Sequence, residues 1–231
     1  MAQHIISRSG WCSAEHDVAM IGYAACVSGK KRAKVLFLNT ASSSTPRYLE
    51  NAQKTIEAVG CEYSTLDLFG SIREDYSSFI MSHDVVYVGG GNTRSLVALW
   101  KEYGIDKILQ EASTINGTIL TGFSAGGICW FEQCLTDSLA GEPQTIKGLG
   151  FLKGSACPHY DVEALRRPTY IKKVIQGEIL PGYALRDFSA LHFIDGELFK
   201  ALTTQKGKAP AYVGLDGVEK DVSVEFYKAD V

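Results

Sequence analysis

Gly122-Phe123-Ser124-Ala125-Gly126 is a Gly-x-Ser-x-Gly pattern set between two different kinds of sequence. A short β-like run, Thr118 to Thr121, leads into it, and a helix-like run, Ile128 to Phe131, follows. At a strand-to-helix elbow this pattern carries chemistry. The turn holds its serine in a strained backbone conformation, which bulky neighbours would obstruct. The Ser124 hydroxyl is lifted clear of the sheet, and the next backbone N–H, that of Ala125, faces the same spot and can help hold an oxyanion. The pattern alone also fits a tight turn with an incidental serine.

A serine nucleophile needs a base, and the chain offers five histidines. His4 and His192 lie in strand-like runs, and His16 and His83 lie near element starts, so these four read as structural or solvated. His159 stands apart, in Ala156-Cys157-Pro158-His159-Tyr160-Asp161, where a strand end runs toward a helix start. The third group that orients an imidazole has four candidates, Asp161, Glu163, Asp187 and Asp195. Asp187 follows another strand-like run and is the preferred one, whereas Asp161 is also placed to cap the next helix. The chain order is serine, histidine, acid. α/β-Hydrolases run serine, acid, histidine, so the common esterase and lipase fold is not expected. A second loop, Gly89-Gly90-Gly91-Asn92-Thr93, lacks the Lys-Ser/Thr of a phosphate-binding loop and is not a GxGxxG motif. Its better reading is close approach of backbone N–H groups to a reacting carbonyl, with Gly91 as a second oxyanion donor beside Ala125.

The elements that must position these residues alternate. Strand candidates are His4 to Ser7, Lys34 to Thr40, Cys61 to Leu68 and Asp84 to Val88, followed by the run before Ser124. Helices are expected from Ala14 to Ser28, from a Thr45 cap through Pro46 to Val59, and from Thr93 to Tyr103, with another to Ala112. Alternation of this kind argues for an α/β fold, a mostly parallel sheet flanked by helices. Functional loops then gather at the C-terminal strand ends, which makes the triple glycine and Ser124 neighbours. Asp195-Gly196 and Asp216-Gly217 are hairpin signals, so the last third is expected to form β-hairpins laid against the sheet edge. The 231 residues are 45% hydrophobic and 21% charged, without repeats or an obvious linker, which fits one domain over 1–231. A net charge of −3 gives no electrostatic case for nucleic acid or an acidic membrane surface. No CxxC pair or zinc-type Cys/His spacing occurs, so the six cysteines read as reduced thiols of a cytoplasmic protein. Val18 to Val27 reads as part of a helix rather than a signal peptide, and no stretch is long enough to span a membrane.

Taken together and in order, GGGNT, GFSAGG, PHYD and ALRDFSAL resemble the S51 serine peptidases, which include dipeptidase E and, more distantly, cyanophycinase. The resemblance covers most of the chain. It implies a fold like that of class I glutamine amidotransferases, with serine in place of cysteine at the elbow. It implies Ser124 as nucleophile, His159 as base, Asp187 as acidic third member, and Gly91 and Ala125 as oxyanion donors. Dipeptidase E carries glutamate at the third position, so Asp187 is one methylene shorter. That enzyme cleaves dipeptides with an N-terminal aspartate and holds its carboxylate with an arginine. Arg167 is the closer match and Arg166 the alternative, with Asn92 and Tyr160 as further substrate contacts. The expected activity is hydrolysis of small peptides without metal or organic cofactor. The rivals are a related hydrolase of isopeptide or small amide bonds and a non-catalytic small-ligand-binding homologue.

Overall fold

The computed structural model describes residues 1–10, 12–42, 46–69 and 75–228. The expected alternation forms the first half. Strand β1 (His4–Arg8) is followed by α1 (Ala14–Val27), β2 (Lys34–Leu38), α2 (Pro46–Ala58), β3 (Glu62–Leu66), α3 (Tyr76–Met81) and β4 (Val85–Val88). Then come α4 (Thr93–Glu102), α5 (Ile105–Glu111) and β5 (Ile119–Phe123). The Thr45 cap lies outside the described residues. Buried β-branched and leucine residues fill β2, β4 and β5, as strands covered on both faces require. These strands pair in parallel, β1 with β5, β5 with β4, β4 with β2 and β2 with β3.

The chain departs from expectation just after Ser124. The helix there, α6 (Ala125–Ile128), is a single turn, and the apolar run turns directly into β6 (Phe131–Thr136). Short apolar runs do not separate helix from buried strand; here the Leu152 N–H donates to Trp130 O and sets Phe131 opposite Leu152 across a ladder. β6 founds a second sheet that the sequence did not announce. Its other strands are β7 (Gln144–Lys147), β8 (Leu152–Cys157), β9 (Gly182–Ala184), β12 (Ala211–Val213) and β13 (Glu219–Asp221). The order is β13–β12–β9–β8–β6–β7, with β6, β8 and β9 parallel. Helix α7 (Arg166–Ile175) connects β8 to β9.

The two hairpins have different fates. β10 (Ser189–Ile194) and β11 (Glu197–Thr203) turn at Asp195-Gly196, both with positive φ, and β10 pairs antiparallel with β1. With β14 (Val224–Phe226) they complete an eight-stranded sheet, β14–β11–β10–β1–β5–β4–β2–β3. The hairpin around Asp216-Gly217 belongs to the second sheet. One buried apolar cluster runs through both sheets, with the Phe131 ring edge-on to Phe193 at 5.7 Å and Tyr183 edge-on to Phe193 at 5.5 Å. Among the described residues no helix is long and apolar enough to cross a membrane.

A second core region, between the sheet and α1–α2, holds a buried charge at the end of β1. Arg8 is fully buried; its Nη2 donates to Asp17 Oδ1 at 2.7 Å, and its guanidinium lies 5.0 Å from the Tyr87 ring centre. The Tyr87 hydroxyl also donates to Asp17. Removing one partner of a buried pair leaves an uncompensated charge, at a cost of about 3–5 kcal/mol. Asp17→Ala should therefore lower the unfolding free energy by about that amount in urea titration, and the Arg8→Met, Asp17→Leu, Tyr87→Phe triple variant, which leaves no buried polar partner behind, should lose much less.

Candidate active site

The site is built from strand ends. In the large sheet Arg8 stands opposite Phe123 and Val88 opposite Gly122, so β1, β5 and β4 finish side by side. The segments that follow are Ser9-Gly10, Ser124 and Gly89 to Gly91. In the second sheet Cys157 stands opposite Ala184, so the ends of β8 and β9 are likewise adjacent. The Leu185 N–H donates to Cys157 O and the Tyr160 N–H to Leu185 O, which brings His159 and Asp187 together.

Ser124 has φ 52° and ψ −120°, a conformation L-residues rarely adopt. Its N–H donates to Ser9 O at 2.6 Å. The elbow is closed on itself: a Cβ at Gly126 would lie 2.4 Å from Val88 O, and one at Gly127 2.1 Å from Arg8 O. Two further non-glycine residues with positive φ, His159 (53°) and Phe188 (65°), lie at the same site. Strain gathered in one place marks a geometry the surrounding fold enforces.

The side chains meet in a line. Ser124 Oγ is 2.9 Å from His159 Nε2, and His159 Nδ1 is 3.1 Å from Asp187 Oδ1. With the imidazole proton on Nδ1, that N–H donates to Asp187 and Nε2 accepts from the Ser124 hydroxyl, so one tautomer satisfies both contacts. Burial pushes the Asp187 carboxyl up, but hydrogen bonds from His159 and Ser9 outweigh it and hold the group below its ordinary range. It therefore stays ionised at neutral pH. The backbone N–H of Asp187 is held by Asp161 Oδ1 at 2.9 Å, and Asp161 accepts from Lys208 Nζ. Asp161 thus braces Asp187 instead of capping α7. Burial pushes the nearby Cys12 thiol up to about 11 and keeps it protonated at neutral pH.

The remaining expected residues separate into three groups. Ala125 opens α6 beside Ser124, and Gly90 backs onto it, where a Cβ would lie 3.1 Å from Ser124 Cβ; Gly91, with φ 135°, is the next residue along. Tyr160 and Arg167 border a groove of about 430 Å³ shared with Asp161, Pro168 and Arg186. Arg167 is largely exposed and pairs with Glu219 at 2.8 Å. Arg166 and Asn92 are occupied. Arg166 is buried, with bonds to Glu163, Asp137 and Leu135 O. Asn92 caps α4 through the Ser95 N–H and donates to Ser138 O. His192 sits away from the elbow, between His4 and Tyr23.

Sequence reasoning passed over Ser9 and Gly10. The rule that functional loops follow strand C-termini applies to β1 as much as to β4 and β5, but Ser9-Gly10 carries no motif. A Cβ at Gly10 would lie 2.6 Å from His159 Cε1 and 3.0 Å from Asp187 Oδ1.

Against known proteins, the model of peptidase family S51 matches residues 5–201, and the chain belongs to that family. It is 44% identical over 213 residues to the Uncharacterized peptidase YgaJ of Bacillus subtilis, covering 92% of this chain and 91% of that one. To the Uncharacterized peptidase Lmo0363 of Listeria monocytogenes it is 27% identical over 135 residues, 55% of this chain and 65% of the relative. A crystal structure of a Listeria monocytogenes protein provisionally described as a peptidase E superposes with a TM-score of 0.65 at 20% identity, over 96% of this chain and all of that one. The fold is accordingly that of peptidase E, class I glutamine amidotransferase-like.

Gly10→Ala should fold but force the imidazole away from the added methyl group. A crystal structure of the variant is expected to show Ser124 Oγ and His159 Nε2 separated beyond hydrogen-bond reach, about 3.5 Å.

Proposed function

We propose that this member of peptidase family S51 is a serine-type peptidase of short peptides, with Ser124, His159 and Asp187 as its catalytic triad. The observation that carries the reading is the unbroken line from a strained serine at an elbow, through one imidazole tautomer, to an ionised carboxylate. His159 Nε2 takes the Ser124 proton as Oγ attacks the peptide carbonyl, and Asp187 stabilises the imidazolium that forms. The Gly91 and Ala125 N–H groups stabilise the oxyanion, His159 returns its proton to the leaving amine, and water then hydrolyses the acyl-enzyme through the same base.

The substrates proposed are dipeptides with an N-terminal aspartate, and Arg167 is the proposed anchor for the aspartate carboxylate. Arg166 is too fully bonded to serve, whereas Arg167 lines the groove next to Tyr160. Its exposure and its existing bond to Glu219 set the scale of the preference. An exposed ion pair contributes up to about 1 kcal/mol, or about 5-fold in kcat/KM. Arg186 is committed to Ala209 O and Asp221 and assists only through its charge.

Ser124→Ala should abolish hydrolysis across a dipeptide panel, by about 10³-fold or more in kcat, with an unchanged fold. Residual turnover in a clean preparation would overturn the serine mechanism. In the same panel the wild type is expected to prefer Asp-Leu over Ala-Leu, and Arg167→Ala to reduce that ratio about 5-fold. A wild-type ratio near one would discard aspartate selectivity, while a large ratio untouched by Arg167→Ala would move its anchor elsewhere.

A further inference from the structure

Ser9 is the first residue after β1, lies between the two sheets and is fully buried. It is bonded to all three members of the line described above. Its carbonyl accepts the Ser124 N–H at 2.6 Å. Its hydroxyl oxygen accepts the His159 backbone N–H at 2.8 Å. The hydroxyl also faces two acceptors, Asp187 Oδ1 at 2.7 Å and Leu185 O at 3.0 Å. One proton serves one strong bond, and the carboxylate is both nearer and the better acceptor.

We infer that Ser9 is a positioning residue: its carbonyl holds the nucleophile's backbone, and its hydroxyl ties the backbone of the base and the carboxylate of the acid to the end of β1. The inference rests on the triad reading of Ser124, His159 and Asp187. Its physical logic is that Ser124 comes from the end of β5, His159 from the end of β8, and Asp187 from the link between β9 of the second sheet and β10 of the large one. Packing between apolar faces sets the spacing of sheets but is tolerant of small slides, since dispersion contacts are not directional. Hydrogen bonds are directional. Ser9 supplies three of them, one to Ser124 within the large sheet and two across the junction, to His159 and Asp187. Serine suits the position because one small hydroxyl can accept from a backbone N–H and donate to a carboxylate together. Alanine would keep the carbonyl bond to Ser124 and lose both contacts across the junction.

The hydroxyl has an electrostatic effect as well. It is one of the hydrogen bonds that hold Asp187 below its ordinary range against burial. Among the described residues, the other charged or titratable groups around Asp187 are His159 and Asp161 from the β8–α7 connection, His16 from α1, Cys12 from the loop before α1, and Lys208 from the β11–β12 connection. None of them replaces a donor from the β1 side. Without the Ser9 hydroxyl, Asp187 takes up its proton at higher pH. The range in which an ionised carboxylate supports His159 therefore shrinks from the acid side.

The test uses the intact chain and a fluorophosphonate probe, whose reaction with Ser124 needs an activated nucleophile but no knowledge of the natural substrate. Labelling rate constants would be measured from pH 3.5 to 8 for wild type, Ser9→Ala and Ser9→Cys, with the modified residue mapped by mass spectrometry and thermal melts run in parallel at each pH. Wild type should label at Ser124. Ser9→Ala is expected to label about 10- to 100-fold more slowly, with the acid limb of its profile moved to higher pH. Ser9→Cys keeps much of the side-chain volume but has a poor donor, so it should resemble Ser9→Ala; it carries the test should the alanine variant fail to fold. Wild-type rates and an unmoved acid limb in either folded variant would overturn the positioning role. A cysteine variant that restores the wild-type profile would reduce Ser9 to packing, which also overturns it. A wild type that does not label at all would remove the serine-peptidase reading itself, a result distinct from the other two.

Discussion

The elbow after β5 leaves almost no free space, and that crowding governs the rest of the site. Val88 O approaches Gly126 and Arg8 O approaches Gly127 so closely that a Cβ on either would overlap a carbonyl oxygen. The turn is wedged between the ends of β1 and β4, and Ser124 takes its positive φ because those neighbours leave it no relaxed alternative. Strain of this kind persists only where the surroundings over-determine it. The surroundings here are buried on every side, by the parallel ladder to β1 and β4 and by the apolar residues of β4 and β5. The Arg8–Asp17 pair adds a fixed point at the end of β1, directly before the residues that face the imidazole.

The second consequence is a division of labour between sheets. The large sheet carries the serine and the glycine loop, the smaller one carries the histidine at the end of β8, and the aspartate sits where the chain passes from β9 of the smaller sheet into β10 of the large one. Groups held on rigid elements are preorganised, which is where electrostatic catalysis gets most of its advantage. The shared cluster of Phe131, Phe193 and Leu185 keeps the sheets together, and the polar contacts at the junction set their alignment. The groove around Arg167 is different in character. Its charges are already paired, exposed Arg167 and half-buried Arg186 with Glu219, and Arg186 also with exposed Asp221. Water screens such pairs and their side chains move easily. The proposed chemistry thus sits on the rigid part of the molecule, and the proposed selectivity on its adaptable rim.

Much of this was legible in the sequence. Alternating apolar runs and helical segments determined the parallel α/β core, because side-chain periodicity is a local property of the backbone. Gly122 to Gly126 after a β-like run determined the elbow, and Asp195-Gly196 determined the β10–β11 turn, because tight turns make local demands on residue type. Their places after strand-like runs already favoured His159 and Asp187, and the family resemblance implied the same pair, before any distance was known. What only the tertiary structure decided depends on long-range pairing. The second sheet grew from apolar runs whose periodicity is ambiguous, and only their partners made Phe131 to Thr136 a strand. Arg166 and Arg167 are adjacent in sequence, yet packing against Leu135 buries the first and leaves the second in the groove. Ser9 belongs to no motif, since its partners lie at positions 124, 159 and 187. A residue whose role is to join distant segments has no local signature, and only the folded chain brings those segments within hydrogen-bond reach.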